Sequence, residues 1–122
     1  MALLFINEID KDVRLGVWEM EENLNYEQFA SLPFYDRLMS LSDGRRKETA
    51  SVYSLLFAMT GNRNLVIGHE PSGKPYVEGY KIGISHTKGF VSVILSMSCD
   101  VAVDIEYINT RVLRIADRFP RE

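Results

Sequence analysis

Asp104-Ile105-Glu106 places two carboxylates two residues apart. On a strand, residues i and i+2 share a face, so Val101, Val103 and Ile105 would turn inward and Asp104 and Glu106 outward. Their Cα atoms would stand roughly 6.6–7 Å apart, a spacing from which two carboxylates can converge on one divalent cation. Mg²⁺ suits such hard oxygen ligands, usually one or two carboxylates completed by water and phosphate oxygens. The plainer reading is a solvent-facing strand edge with two charges. Upstream, Ser72-Gly73-Lys74-Pro75 is a turn. Pro75 fixes its own φ and biases Lys74 toward an extended backbone, so the ammonium would project from a stiff support suited to a phosphate. The plainer reading is a hairpin turn with a solvated lysine. The turn is not a P-loop, because the spacing is wrong and no Ser or Thr follows the lysine. Between these motifs lies Ile84-Ser85-His86-Thr87, a histidine flanked by hydroxyls that can donate to a phosphate when protonated. A Ser85/His86/Asp104 hydrolase triad is disfavoured: adjacent strand residues point to opposite faces, and there is no nucleophile elbow.

Position depends on the elements that carry these residues. Strands are expected at 2–7 and 13–20, where Val13, Leu15 and Val17 alternate with Arg14, Gly16 and Trp18. A short helix is expected near Tyr26–Leu32, broken at Pro33. From Arg45 to about Thr60, Ala50, Tyr53, Phe57 and Thr60 form one stripe and Val52, Leu56 and Met59 the next, which predicts a long helix buried on two sides and closed at Gly61. The second half reads as sheet: Leu65–Ile67, a piece starting at Lys74–Val77, then 80–85, 89–97 and 101–107. On the strand over 89–97, Val91, Val93, Leu95 and Met97 share one face. A closing helix, capped by Asn109 or Thr110, is expected from Val112, Ile115, Ala116 and Phe119 at i, i+3, i+4 and i+7, with Pro120 as its stop. The fold class is therefore α+β, a mostly antiparallel sheet packed against a long buried helix, in one domain over residues 1–122.

Composition narrows the function classes. With 46% hydrophobic residues, 25% charged residues and a net charge of −3, the chain is neither disordered nor fibrous. Residues 1–60 carry 6 basic and 10 acidic groups and residues 61–122 carry 8 and 7, so an anion site sits more naturally in the second half. An acidic chain offers no broad field for nucleic acid. No stretch matches a membrane span, and the opening apolar run of six, Met1–Ile6, is too short for a signal-peptide core. Cys99 is the only cysteine, so no intrachain disulfide is possible. Its expected role is a small filler or turn residue, and a cytoplasmic location is expected. His69 is expected to have no role beyond local structure.

The order and spacing of the motifs resemble the 4′-phosphopantetheinyl transferase superfamily. The likeness is to the larger, two-lobed, surfactin-synthetase-activating type. It rests on Gly73-Lys74-Pro75, Ile84-Ser85-His86-Thr87, Val103-Asp104-Ile105-Glu106 and the Ile115–Phe119 stretch, and covers about residues 64–122. It implies one lobe of a pseudo-twofold fold, the N-terminal one, with the C-terminal lobe absent. It implies Mg²⁺-dependent transfer of phosphopantetheine from coenzyme A to a serine of an acyl or peptidyl carrier protein (holo-[acyl-carrier-protein] synthase activity), leaving adenosine 3′,5′-bisphosphate. Carried onto this sequence, Asp104 and Glu106 would be metal ligands. Gly73, Lys74 and Pro75 would border the coenzyme A nucleotide, and Ser85 and His86 would lie near its phosphates, with His86 near the 3′-phosphate.

The departures are specific. The family's Trp/Phe-x-x-Lys-Glu-Ala helix, which supplies a further acidic group and a lysine, is not in the sequence, so no residue here takes the catalytic base or lysine role. Tyr53 precedes Ser54-Leu55-Leu56 where the family often has an arginine directed at the 3′-phosphate, with Arg45 and Arg46 nearby. The expectation is a transferase half-enzyme, with a homodimer as one means of replacing the second lobe. The alternative is a non-catalytic module that binds coenzyme A or a carrier protein. Arg111, Arg114 and Arg118 would form a basic stripe able to meet an acidic carrier, or a simple solvated face.

Overall fold

The alternation of apolar residues over Val13–Glu19 builds the strand that organises the protein. The computed structural model describes residues 3–109 and 112–118. Its first sheet has four antiparallel strands in the order β1-β2-β6-β5, formed by β1 (Leu3–Asp10), β2 (Val13–Glu19), β5 (Lys81–Thr87) and β6 (Phe90–Ser96). Two small antiparallel pairs accompany it: β3 (Gly68–His69) with β4 (Pro75–Tyr76), and β7 (Ala102–Asn109) with β8 (Val112–Arg118). Two helices complete the α+β architecture, α1 (Tyr35–Ser40) and α2 (Asp43–Thr60).

The four-stranded sheet is covered on both faces. Val91, Val93 and Leu95 of β6 pack with Leu55, Leu56 and Met59 of α2. The other face carries Val13 and Leu15 of β2 and Ile94 of β6, packed with Val101 and, at the margin, Val103 and Ile115 of the β7–β8 ribbon. Alternation along each strand is thus read out twice, once against the helix and once against the ribbon, and β6 is buried from Val91 to Ser96. Arg14 crosses from β2 to the end of α2, where its Nη1 donates to the Met59 carbonyl at 2.6 Å. A cation there satisfies a terminal carbonyl and opposes the negative end of the helix dipole. The helix stops as expected at Gly61, whose N–H donates to the Phe57 carbonyl.

α1 was not legible from its own residues. It follows Pro33 and buries Leu38 in an aromatic cluster with Phe29, Phe34, Tyr53 and Phe57. Phe34 and Tyr53 stack with ring centres 3.7 Å apart. The helix expected near Tyr26–Leu32 is a 3-10 turn over Tyr26–Phe29, capped by Asn25. The strand expected at Leu65–Ile67 is irregular backbone, and pairing begins at Gly68. Met97 does not continue the Val91/Val93/Leu95 face, because β6 ends at Ser96 and Met97 is 69% exposed.

The largest correction concerns the closing helix. Val112–Arg118 is a strand, paired antiparallel to β7 with Ile105 opposite Ile115 and Glu106 opposite Arg114. The segment satisfies two periods at once: Leu113 and Ile115 alternate with exposed Arg114, while Val112, Ile115 and Ala116 also match a helical stripe. The unpaired edge of β7 selects the extended form, because its N–H and C=O groups are satisfied by a neighbouring strand. Thr110, Arg111, Phe119, Pro120 and Glu122 lie outside the described residues.

Candidate functional site

β5 is the strand that connects the sequence motifs. Ser85 and Thr87 point to the ribbon side, and Ile84 and His86 to the α2 side, since neighbouring strand residues face opposite ways. The ribbon is fastened to β5 by side chains rather than by a backbone ladder. Ile105 N–H donates to Ser85 Oγ at 3.2 Å and Tyr107 N–H donates to Thr87 Oγ1 at 3.1 Å. The two bonds follow the period of both strands, so they fix the register of Asp104-Ile105-Glu106 against Ser85-His86-Thr87. Gly83 lets the ribbon approach: a Cβ there would stand 3.0 Å from Ala102 Cα and 3.2 Å from the Val101 carbonyl oxygen.

Ile105 is 2% exposed, whereas Asp104 and Glu106 are both exposed, the inward and outward alternation expected of the pair. Glu106 Oε2 lies 3.9 Å from Arg114 Nη1 across the ribbon. Arg114 and Arg118 therefore sit on a strand beside the acidic pair and not on a helix. The two carboxylates fit the mode in which Mg²⁺ takes one or two protein oxygens and completes its shell with water and phosphate. Among the described residues, no group of three or more His, Cys, Asp and Glu side chains is placed to hold a metal by itself.

His86 is positioned by α2. Its Nδ1 lies 3.2 Å from Glu48 Oε1, an ion pair when the imidazole is protonated. That contact leaves Nε2 for a second partner. Glu48 was not marked by the sequence motifs; a carboxylate in a helix turn has no signature until the helix is laid against β5. Ser85 keeps its own hydroxyl proton to donate, because its oxygen serves as acceptor for Ile105.

Lys74 stands elsewhere. The turn before it is locked by Gly73 N–H donating to the Glu70 carbonyl and Glu70 N–H donating to the Lys74 carbonyl, both at 2.8 Å. Gly73 has φ of 91°, a left-handed backbone that glycine adopts without a steric penalty. Pro75 pairs with His69 in the β3–β4 hairpin. Lys74 and Pro75 border a recess of about 400 Å³ with Tyr80, Lys81 and Asp100. This recess lies by Lys81 at the start of β5, and His86 lies five residues on, roughly 16 Å along a strand. The structure thus joins the Ser85 and Asp104/Glu106 motifs directly, places His86 on the other face of the same strand, and sets Gly73-Lys74-Pro75 at that strand's far end.

A second recess was missed by the motif reading. A cleft of about 380 Å³ lies between α1, α2, the Val66–His69 stretch and β5. Arg37, Arg45, Glu48 and His69 line it alongside apolar side chains. Cys99 is partly buried, with its N–H donating to Ser96 Oγ, a turn residue as expected.

No protein-family model matches this chain, and no curated protein matches it. Among the described residues, no helix is long and apolar enough to cross a membrane.

Proposed function

We propose that this chain is one lobe of a 4′-phosphopantetheinyl transferase, acting in the cytoplasm on coenzyme A and an acyl or peptidyl carrier protein. One observation carries the reading: the strand bearing Asp104 and Glu106 is tied in register to the strand bearing Ser85 and His86 through two side-chain to backbone hydrogen bonds. Motifs separated by 20 residues in sequence are thereby held as one unit.

Asp104 and Glu106 would hold Mg²⁺, which would neutralise charge on the pyrophosphate. Ser85 would donate its hydroxyl proton to a phosphate oxygen. On the other face of β5, protonated His86 would donate Nε2–H to the separate 3′-phosphate while Glu48 orients its ring. Lys74 would meet the nucleotide only at the far end of β5, away from His86. In the transfer, the carrier serine oxygen forms the new P–O bond and the bond to adenosine 3′,5′-bisphosphate breaks. The serine proton passes to a base, which this sequence does not assign. A second copy of the chain is the partner that would complete the site. Arg114 and Arg118 offer an acidic carrier a cationic edge.

The test is intact-mass analysis of an apo carrier protein incubated with this chain, coenzyme A and Mg²⁺, with a two-lobed transferase as control. A gain of one phosphopantetheine arm is expected if copies complete the site, and Asp104→Asn should abolish it. Coenzyme A binding without a mass gain would support the non-catalytic binding module. Neither binding nor a mass gain would refute both readings.

A further inference from the structure

The cleft between α1 and α2 shares Glu48 with the His86 pair, but Ser85, Lys74, Asp104 and Glu106 do not line it. Its apolar wall includes Leu38, Leu41, Val52, Ile67 and Ile84. At about 380 Å³ it falls at the small end of ligand sites. An acyl chain or a small hydrocarbon body needs only apolar surface removed from water.

The polar groups of the cleft favour an anion. Arg37 and Arg45 both line it, both are exposed, and among the described residues neither makes an ion pair. The one acidic side chain in the lining, Glu48, is already engaged by His86. Tyr53 supplies an independent signal. It is 4% exposed, and its oxygen accepts the Ile67 N–H at 3.0 Å. A phenol has one proton to donate as well, and among the described residues that proton has no acceptor. The proton is free to be donated to a ligand oxygen in the cleft. Burial pushes the Tyr53 phenol above its usual range, against the opposing pull of the Ile67 N–H and the Arg37 charge, which keeps the group a donor.

We infer that this cleft binds a small monocarboxylate with an apolar body, of the fatty-acid class. The hydrocarbon lies along Leu38, Val52 and Ile84, and the carboxylate is met by the Tyr53 hydroxyl and the Arg37 and Arg45 guanidiniums. The inference does not rest on the proposed transfer activity.

Octanoate titrated into the full chain, followed by amide shifts in ¹H–¹⁵N NMR, tests it. Octanoate should shift the Ile67 and Ile84 amides saturably. 1-Octanol should bind about tenfold more weakly, because the charged hydrogen bonds are lost. Arg45→Glu, an exposed position whose replacement leaves the core intact, should weaken octanoate about tenfold, and Tyr53→Phe should weaken it while keeping the ring stack on Phe34. Equal binding of octanol and octanoate, unchanged binding in Arg45→Glu, or shifts scattered away from the cleft would overturn the inference. Displacement of octanoate by adenosine 3′,5′-bisphosphate would also overturn it, by making the cleft the nucleotide site, and would leave the transferase reading standing.

Discussion

Replacing Ser85 by Ala and Thr87 by Val tests the link on which the candidate site depends. Each change removes one acceptor and keeps most of the side-chain shape. Ser85→Ala leaves the Ile105 N–H, on a residue 2% exposed, without its partner at 3.2 Å, and Thr87→Val does the same to the Tyr107 N–H at 3.1 Å. An orphaned, partly buried donor costs about 1–3 kcal/mol, more than the net gain of an average hydrogen bond, because water replaces the lost partner poorly. Since about 1.4 kcal/mol is a factor of ten, the ribbon should open roughly ten to a hundred times more readily. Amide hydrogen exchange reads this locally. In the double variant, Ile105 and Tyr107 should lose protection by that factor, while Leu15 and Gly16, held in the four-stranded sheet, should change far less. The two bonds fasten one ribbon and sit two residues apart, so their costs should couple rather than add. If exchange at Ile105 and Tyr107 is unchanged, the two hydroxyls do not hold the ribbon, and the positional argument for Asp104 and Glu106 fails with them.

Four further outcomes are expected. Gly83→Ala should destabilise by about 1–3 kcal/mol in urea unfolding, since its Cβ meets Ile94 Cγ2 at 2.8 Å and the Ala102 and Val101 backbone, whereas Gly44→Ala, with nothing within 4 Å, should stabilise α2 by about 0.5–1 kcal/mol. Asp12, at φ 61°, accepts from Ser98 Oγ, Ser96 Oγ and the Met97 N–H, and these bonds hold its carboxyl below its usual value of 3.8 despite the opposing cost of partial desolvation. Its contribution to stability is therefore complete above that value and is lost as pH falls through the lower folded one, so Asp12→Asn should flatten the acid limb of a stability–pH curve; an unchanged limb would refute the assignment. Leu55→Ala, at a 0% exposed position of α2 facing the sheet, should cost about 2–5 kcal/mol by thermal or urea unfolding.

Much of the molecule was determined locally. The apolar stripes from Ala50 to Met59 marked a helix, and Gly61 ended it. The alternation over Val13–Val17 and over Val91–Leu95 could serve only strands, and Asp104 and Glu106 were bound to share the outer face once Val101 and Ile105 were buried. These features depend on the side-chain periods of 3.6 and 2, which are properties of the chain itself.

Other features were decided by neighbours distant in sequence. Residues Val112–Arg118 carry both periods, and the open edge of β7 resolved them as a strand. α1 exists because Leu38 and Phe34 complete a cluster with Tyr53 and Phe57, an apolar gain that six residues cannot declare alone. The docking of the ribbon on Ser85 and Thr87, the meeting of Glu48 with His86, and the cleft floored by Leu38, Val52 and Ile84 have no local signature. Each arises where two elements press together, because hydrogen bonds and apolar contacts act over a few ångströms of space, whatever the separation along the chain.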